Sequence, residues 1–184
     1  RPLDNAPLPP HHSPHAPREP PMSTLRERLH FDAALGTVAD GPRRYVLLRH
    51  DVLMGTVAAL PQALRPTVLA AMADSVAVHG ADSLRAYLAD CGGDSEALIE
   101  ATIDAAADLG WGRRAVNGDF LYVENSPFAA GYGPSDSPVC SCIVGMWRAL
   151  STIVAGRRME VRETRCTAQG HERCEFVATD HSAP

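Results

Sequence analysis

The feature that most constrains the fold is a short C-terminal segment, residues 163–174, in which a glutamate and two cysteines flank a glycine. It reads E-T-R-C-T-A-Q-G-H-E-R-C. Glycine adopts the backbone conformations that tight turns require, so a turn at Gly170 would fold Cys166 back towards Cys174. Two sulfur atoms and the carboxylate of Glu163 would then lie around one point.

Cys140 offers a third sulfur, from the predicted start of a helix. The unpaired N–H groups and the positive dipole end at a helix start stabilise a thiolate. Zinc prefers a tetrahedral shell of thiolates, imidazoles and carboxylates. The predicted zinc ligands are Cys140, Glu163, Cys166 and Cys174. The residues also allow another interpretation, because cysteine is often buried and Cys91, Cys140 and Cys142 suit small core positions.

A shell of four protein ligands leaves no position for a catalytic water, so the predicted zinc would be structural. Three thiolates and one carboxylate around a divalent ion carry a formal charge of about −2, which is costly to bury without compensation. Arg162, Arg165 and Arg173 flank the ligands in sequence. We therefore expect their guanidinium groups to contact the ligand atoms.

Composition limits the partners of this 184-residue chain. Its net charge is −5 and it has no block of lysines or arginines, which disfavours nucleic acid and anionic membrane surfaces as partners. No apolar run reaches the roughly 20 residues of a membrane-spanning helix. Residues 1–21 hold eight of the fifteen prolines, which predicts a disordered leader rather than a secretory signal. Clustered cysteines without such a signal favour the reducing cytoplasm.

The order of predicted elements is typical of an α+β domain with an antiparallel sheet and about four helices. Residues 22–93 are predicted to form an N-terminal subdomain, a candidate for dimerisation, and residues 94–180 a second domain that contains the zinc lobe. The predicted helices span residues 51–60, 66–88, 95–109 and 140–155. The predicted strands are residues 29–31, 37–38, 45–48, 111–116, 120–124, 159–164 and 174–178.

Several motifs in order resemble one known family. They are G-W-G at 110–112, V-E-N-S-P-F at 123–128, S-P-V-C at 137–140 and E-T-R-C-x7-C-x-F at 163–176. Together they resemble the 4-vinyl-reductase domain family, which is similar to the sensor domain of phenol- and xylene-responsive bacterial activators. The resemblance covers about residues 95–178. It implies an α+β fold that commonly dimerises, and zinc held by three cysteines and a glutamate at the positions named above.

The resemblance also implies a ligand pocket between the sheet and the helices, next to the zinc lobe. Apolar and aromatic side chains suit such a pocket. The candidates are Trp111, Phe120, Tyr122, Val123, Phe128, Tyr132 and Trp147. Phenol sensors of this kind place a tryptophan two positions before the Asn of their N-S motif, where this chain has Val123. Phenol itself is therefore not the expected ligand.

Three functions fit these residues. The first is a stand-alone sensory or binding domain for a small apolar or aromatic molecule, with a structural zinc. The second is a reductase, or an accessory protein, that acts on a vinyl tetrapyrrole. Independent hydride transfer needs a nicotinamide or flavin, yet no G-x-G-x-x-G opens a helix after a strand, so such an enzyme would take its reductant from a partner. The third is a dimeric scaffold.

Overall fold

The computed structural model describes residues 23–181, so the predicted leader lies outside the described residues. The α-helices of this part are α1 (Leu25–Arg28), α2 (His50–Ala59), α3 (Arg65–Asp90), α4 (Ser95–Asp108), α5 (Pro127–Tyr132) and α6 (Ser141–Ala155). Its strands are β1 (His30–Asp32), β2 (Thr37–Asp40), β3 (Arg43–Tyr45), β4 (Arg113–Asn117), β5 (Phe120–Glu124), β6 (Met159–Arg165) and β7 (Cys174–Asp180). The predicted α+β class is confirmed.

The strands form two antiparallel sheets. The small N-terminal sheet has the order β1-β2-β3, and the larger C-terminal sheet has the order β4-β5-β7-β6. Strand β7 therefore lies in the interior of the larger sheet, between the β4–β5 hairpin and β6. This order places the first residue of β7, Cys174, opposite Val123 of β5.

Helix α6 lies at the centre of the core. Its apolar side chains Ile143, Trp147 and Leu150 are almost fully buried. The inner face of the larger sheet contributes Leu121 and Phe176 to the same core. Because successive side chains of a strand point to opposite faces, a helix on one face of the sheet buries alternate residues only.

Helix α6 also packs closely on α3, and a glycine makes this approach possible. A Cβ atom at Gly145 would overlap the backbone carbonyl of Ala73, so only a residue without a side chain fits there. A similar approach joins α5 to α2, because a Cβ at Gly131 would overlap the carbonyl of His50. The N-terminal helices are thus held against the helices that precede and carry the cysteine cluster.

The structure differs from the predicted elements at several ends. Strand β3 covers Arg43–Tyr45, whereas residues 46–49 lie outside strands, although 46–48 were predicted as strand. Strand β4 begins at Arg113 because Gly112 has a φ of +89°, which breaks an extended run. The short helices α1 and α5 were not predicted, which brings the α-helices of residues 23–181 to six.

Within residues 23–181, no single helix is long and apolar enough to cross a membrane, although α2 and the helical segment Gln62–Asp90 pass that test as a pair bent by 113°.

Substitution of Gly145 tests the close contact between α3 and α6. We expect Gly145→Ala to lower the free energy of unfolding by about 1–3 kcal/mol, because the new methyl group must push the two helices apart. Gly55→Ala is the matched control, since nothing lies within 4 Å of a Cβ there, and it should be neutral or stabilising by up to about 1 kcal/mol. Urea unfolding of both variants measures the difference, and equal effects would contradict the contact.

Candidate metal centre

Four buried donors converge where α6 begins beside the larger sheet. Cys140 is the N-cap residue of α6, Glu163 lies in β6, Cys166 follows the end of β6, and Cys174 begins β7. One ligand atom of each lies within 4.8 Å of the others. All four side chains are buried, with at most 8% of each residue exposed. The structure therefore brings together the four residues that the sequence predicted as ligands.

Local backbone features aim these side chains at one another. The pairing of β6 with β7 shifts register between Glu163 and Arg165, which marks a bulge that re-aims the end of β6. A 3-10 helix at Thr167–Gln169 then leads to Gly170, whose φ is +86°. Glycine adopts this left-handed conformation without strain, so the turn returns the chain from Cys166 towards Cys174.

The distances between the sulfur atoms suit one tetrahedral ion. Cys140 Sγ lies 3.8 Å from Cys166 Sγ and 3.6 Å from Cys174 Sγ, and the other two sulfurs are 4.0 Å apart. A disulfide would require about 2.05 Å. Tetrahedral coordination with zinc–sulfur bonds of about 2.3 Å places two sulfurs about 3.8 Å apart. The cluster can therefore hold a metal with little rearrangement.

The carboxylate of Glu163 is half satisfied. Its Oε2 accepts a hydrogen bond from the backbone N–H of Cys140 at 2.9 Å, which ties β6 to the start of α6. Its Oε1 is buried and has no hydrogen-bond partner among residues 23–181. Burial raises the pKa of Glu163 to about 7. A buried carboxylate oxygen without a partner is costly, and a metal ion would satisfy it.

Hydrogen bonds hold the sulfur atoms in their places. Ser126 Oγ lies 3.2 Å from Cys140 Sγ, and the N–H of Thr167 donates to Cys174 Sγ at 3.3 Å. Hydrogen bonds from Cys140 and Cys166 hold the pKa of Cys174 far below its usual value, whereas the contacts with the other two sulfurs raise the pKa of Cys140 far above it. The metal-free cluster thus keeps protons between its sulfurs, and metal binding must displace them.

The expected compensation by arginines does not occur. Arg173 donates to Glu175 at 3.0 Å and lies over the ring of Tyr122, and Arg165 also contacts Glu175. The side chain of Arg162 is exposed. The polar contacts to the ligands come instead from backbone N–H groups and the hydroxyl of Ser126. The sequence carried a signal for that serine, because a serine directly before a proline is typical of a helix N-cap.

The predicted pocket residues do not form one group. Phe120 and Tyr122 stack on each other on the outer face of the sheet, with Phe120 44% exposed. Val123 points into the core from the same strand. Adjacent strand residues cannot line one pocket from the same side, so the prediction combined two faces of β5.

The remaining aromatic candidates lie at three places. Trp111 and Phe128 pack edge to face, with ring centroids 5.0 Å apart. Trp147 borders a small cavity of about 100 Å³. Tyr132 lines a cleft of about 1500 Å³ that adjoins the cysteine cluster, because Ser126 and Thr167 are also among its lining residues.

The fold and the cluster define a class of protein, an α+β domain with a buried site of three thiols and one carboxylate that can hold a metal ion. Residues 119–180 match the model of the 4-vinyl-reductase domain family. The resemblance seen in the sequence is therefore confirmed for this part of the chain. A comparison with curated proteins gives no match.

The fold is also similar to solved structures. The phenol-responsive sensory domain of the transcription activator PoxR, crystallised with phenol, has a TM-score of 0.71 and 19% identity, and the match covers 84% of this chain and 85% of that chain. A vinyl-4-reductase family protein from Methanocaldococcus jannaschii has a TM-score of 0.40 and 15% identity, over 66% of this chain and 97% of that chain. A trafficking protein particle complex subunit 3 from Naegleria fowleri, covalently bound to palmitic acid, has a TM-score of 0.48 and 14% identity, over 70% and 93%.

Cysteine substitutions test whether the cluster holds a metal. We expect the purified protein to contain about one metal ion per chain, and Cys174→Ala to lose it together with several kcal/mol of stability, or about 10 °C or more in unfolding temperature. Cys142→Ala is the matched control, because Cys142 is also buried in α6 but lies outside the cluster. Elemental analysis and thermal unfolding are the measurements. Loss of the metal from both variants would contradict the assignment.

Proposed function

We propose that this chain is a sensory or binding domain for a small apolar or aromatic molecule, and that a structural zinc ion holds its C-terminal lobe. The observation that carries the proposal is the cluster of three sulfurs and one carboxylate, set in a fold shared with a phenol-responsive sensory domain. The geometry of the donors favours zinc over harder ions, because calcium and magnesium take oxygen ligands.

The proposed zinc would act on structure. Four protein donors fill a tetrahedral shell, so no open position is left for water or substrate. The residues of the cluster would hold the start of α6 against the β6–β7 pair. The protein groups that support the ion are the N–H donors and the hydroxyl around the ligands, which fix the orientation of the sulfurs and the carboxylate.

We place the ligand on the inner side of the larger sheet, near Trp111, Val123 and Phe128. These side chains face the core, and Trp111 is partly exposed. PoxR's sensory domain is described as phenol-responsive, which supports a small aromatic ligand for a domain of the same fold. The tryptophan that the resemblance implies for phenol sensors is Val123 here, so we propose a ligand other than phenol.

Two further features belong to the proposal. We propose that the chain works in the reducing cytoplasm, which suits its five free cysteines. We also propose a homodimer formed by the N-terminal subdomain, residues 22–93. Its support is a run of exposed apolar side chains after β3, with Val46 82% exposed and Leu47 72% exposed.

A ligand screen tests the binding function. Zinc-loaded protein is mixed with small aromatic compounds such as phenol, toluene and benzoate, and binding is measured by thermal shift and native mass spectrometry. We expect at least one compound to bind with a stoichiometry of one per chain. Binding to none of them, together with NADPH-dependent turnover of a vinyl tetrapyrrole in the presence of a reductase partner, would favour the enzymatic alternative.

Charged substitutions test the proposed dimer. We expect sedimentation velocity to show a dimer, and the double variant Val46→Asp, Leu47→Asp to shift it to a monomer, because burying two carboxylates in an apolar interface is costly. Val154→Asp, at a partly exposed position near the end of α6, is the control and should remain a dimer. A wild-type monomer at all concentrations would refute this part of the proposal.

A further inference from the structure

Arg114 is a buried cation inside the larger sheet. It lies in β4, directly opposite Val123 of β5, and only 8% of the residue is exposed. Its neighbours along the strand, Arg113 and Ala115, are exposed, so Arg114 is the arginine that points from β4 into the core. Arginine is rarely buried without a partner, so its surroundings are informative.

The guanidinium of Arg114 has little to bind. Its Nη1 lies 3.6 Å from the thioether sulfur of Met146, which is a weak acceptor. Its Nε and Nη2 are buried and have no hydrogen-bond partner among residues 23–181. No carboxylate lies within 4.0 Å of it in this part of the chain. Burial lowers the pKa of Arg114 to about 10, so the group stays protonated at neutral pH.

Other sheltered arginines of this protein have counterions. Arg28 and Arg43 both contact the buried carboxylate of Asp40, at 3.3 and 3.1 Å. Arg148 of α6 contacts Asp74 at 2.6 Å. Arg114 differs from them, because it is more deeply buried and has no carboxylate partner among the described residues. A buried charge with no partner is strongly unfavourable, so the site is suited to an anion that comes from outside the chain.

The side chains around Arg114 indicate what kind of anion would fit. The guanidinium carbon lies 5.8 Å from the ring centroid of Trp111, which packs edge to face on Phe128. Met146 and Val123 complete an apolar surrounding. A molecule with an aromatic ring and one acidic group would satisfy both features, because arginine binds a carboxylate through two parallel N–H donors.

We propose that the ligand of this domain is a small aromatic carboxylate, and that Arg114 binds its carboxylate group. The inference rests on the proposed function and names its ligand class. Entry would be from the free edge of the larger sheet, because β4 has a neighbouring strand on one side only within the described residues. Arg114 selects the anion, and the ring of the ligand lies against Trp111 and Phe128.

Binding measurements on matched ligands test this inference. Benzoate and benzamide have the same ring and nearly the same size but differ in charge, and phenol serves as a neutral aromatic reference. Isothermal titration is carried out on the wild-type protein, on Arg114→Met and on Arg113→Met, a control that removes an exposed arginine paired with Glu124. We expect benzoate to bind at least tenfold more tightly than benzamide to the wild-type and to Arg113→Met. In Arg114→Met the two affinities should become equal.

The outcomes separate this inference from the proposed function. If the wild-type protein binds benzamide or phenol and shows no preference for benzoate, the anion assignment is wrong and a neutral-ligand sensor stands. If no aromatic compound binds at all, the proposed function fails with it. Circular dichroism checks that Arg114→Met folds, and Arg114→Lys, which keeps the charge, should retain part of the preference. Full preference for benzoate in Arg114→Met would overturn the role of Arg114.

Discussion

The structure depends on the convergence of three sulfur atoms and one carboxylate within a few ångströms. Left without an ion, this cluster buries three thiols that share protons and a carboxylate oxygen with no partner among the described residues. Such an arrangement is unfavourable unless something compensates it. A metal ion of the right size turns the same four groups into the contact that joins the start of α6 to the β6–β7 pair.

That contact matters because α6 carries the centre of the core. Its buried face packs on the larger sheet, and Gly145 lets α3 approach from the other side. An ion at Cys140 would fix the position of the helix start, and hence the spacing between α6 and the strand that carries Arg114. The metal centre and the proposed ligand site are therefore two ends of one layer, in which α6 contributes Cys140 to the first and Met146 to the second.

The sequence was informative where local chemistry is specific. Glycine at 170, a helix start at 140 and the spacing of the ligands predicted the cluster, and apolar periodicity predicted the long helices and the α+β class. The sequence was less informative about faces. Phe120 and Tyr122 look like pocket residues, but strand alternation places them outside. Arg114 drew no attention, because nothing local shows that its strand position points inward; that depends on which side of the sheet α6 covers. The boundary predicted near residue 93 stays a prediction.

X-ray absorption spectroscopy at the zinc edge of the native protein tests the central claim most directly. Our account predicts a four-coordinate ion with three sulfur neighbours at about 2.3 Å and one oxygen neighbour at about 2.0 Å. Four sulfur neighbours would mean that Cys142 or Cys91 replaces Glu163. A shell of oxygen and nitrogen atoms alone, or no metal in the purified protein, would contradict the account.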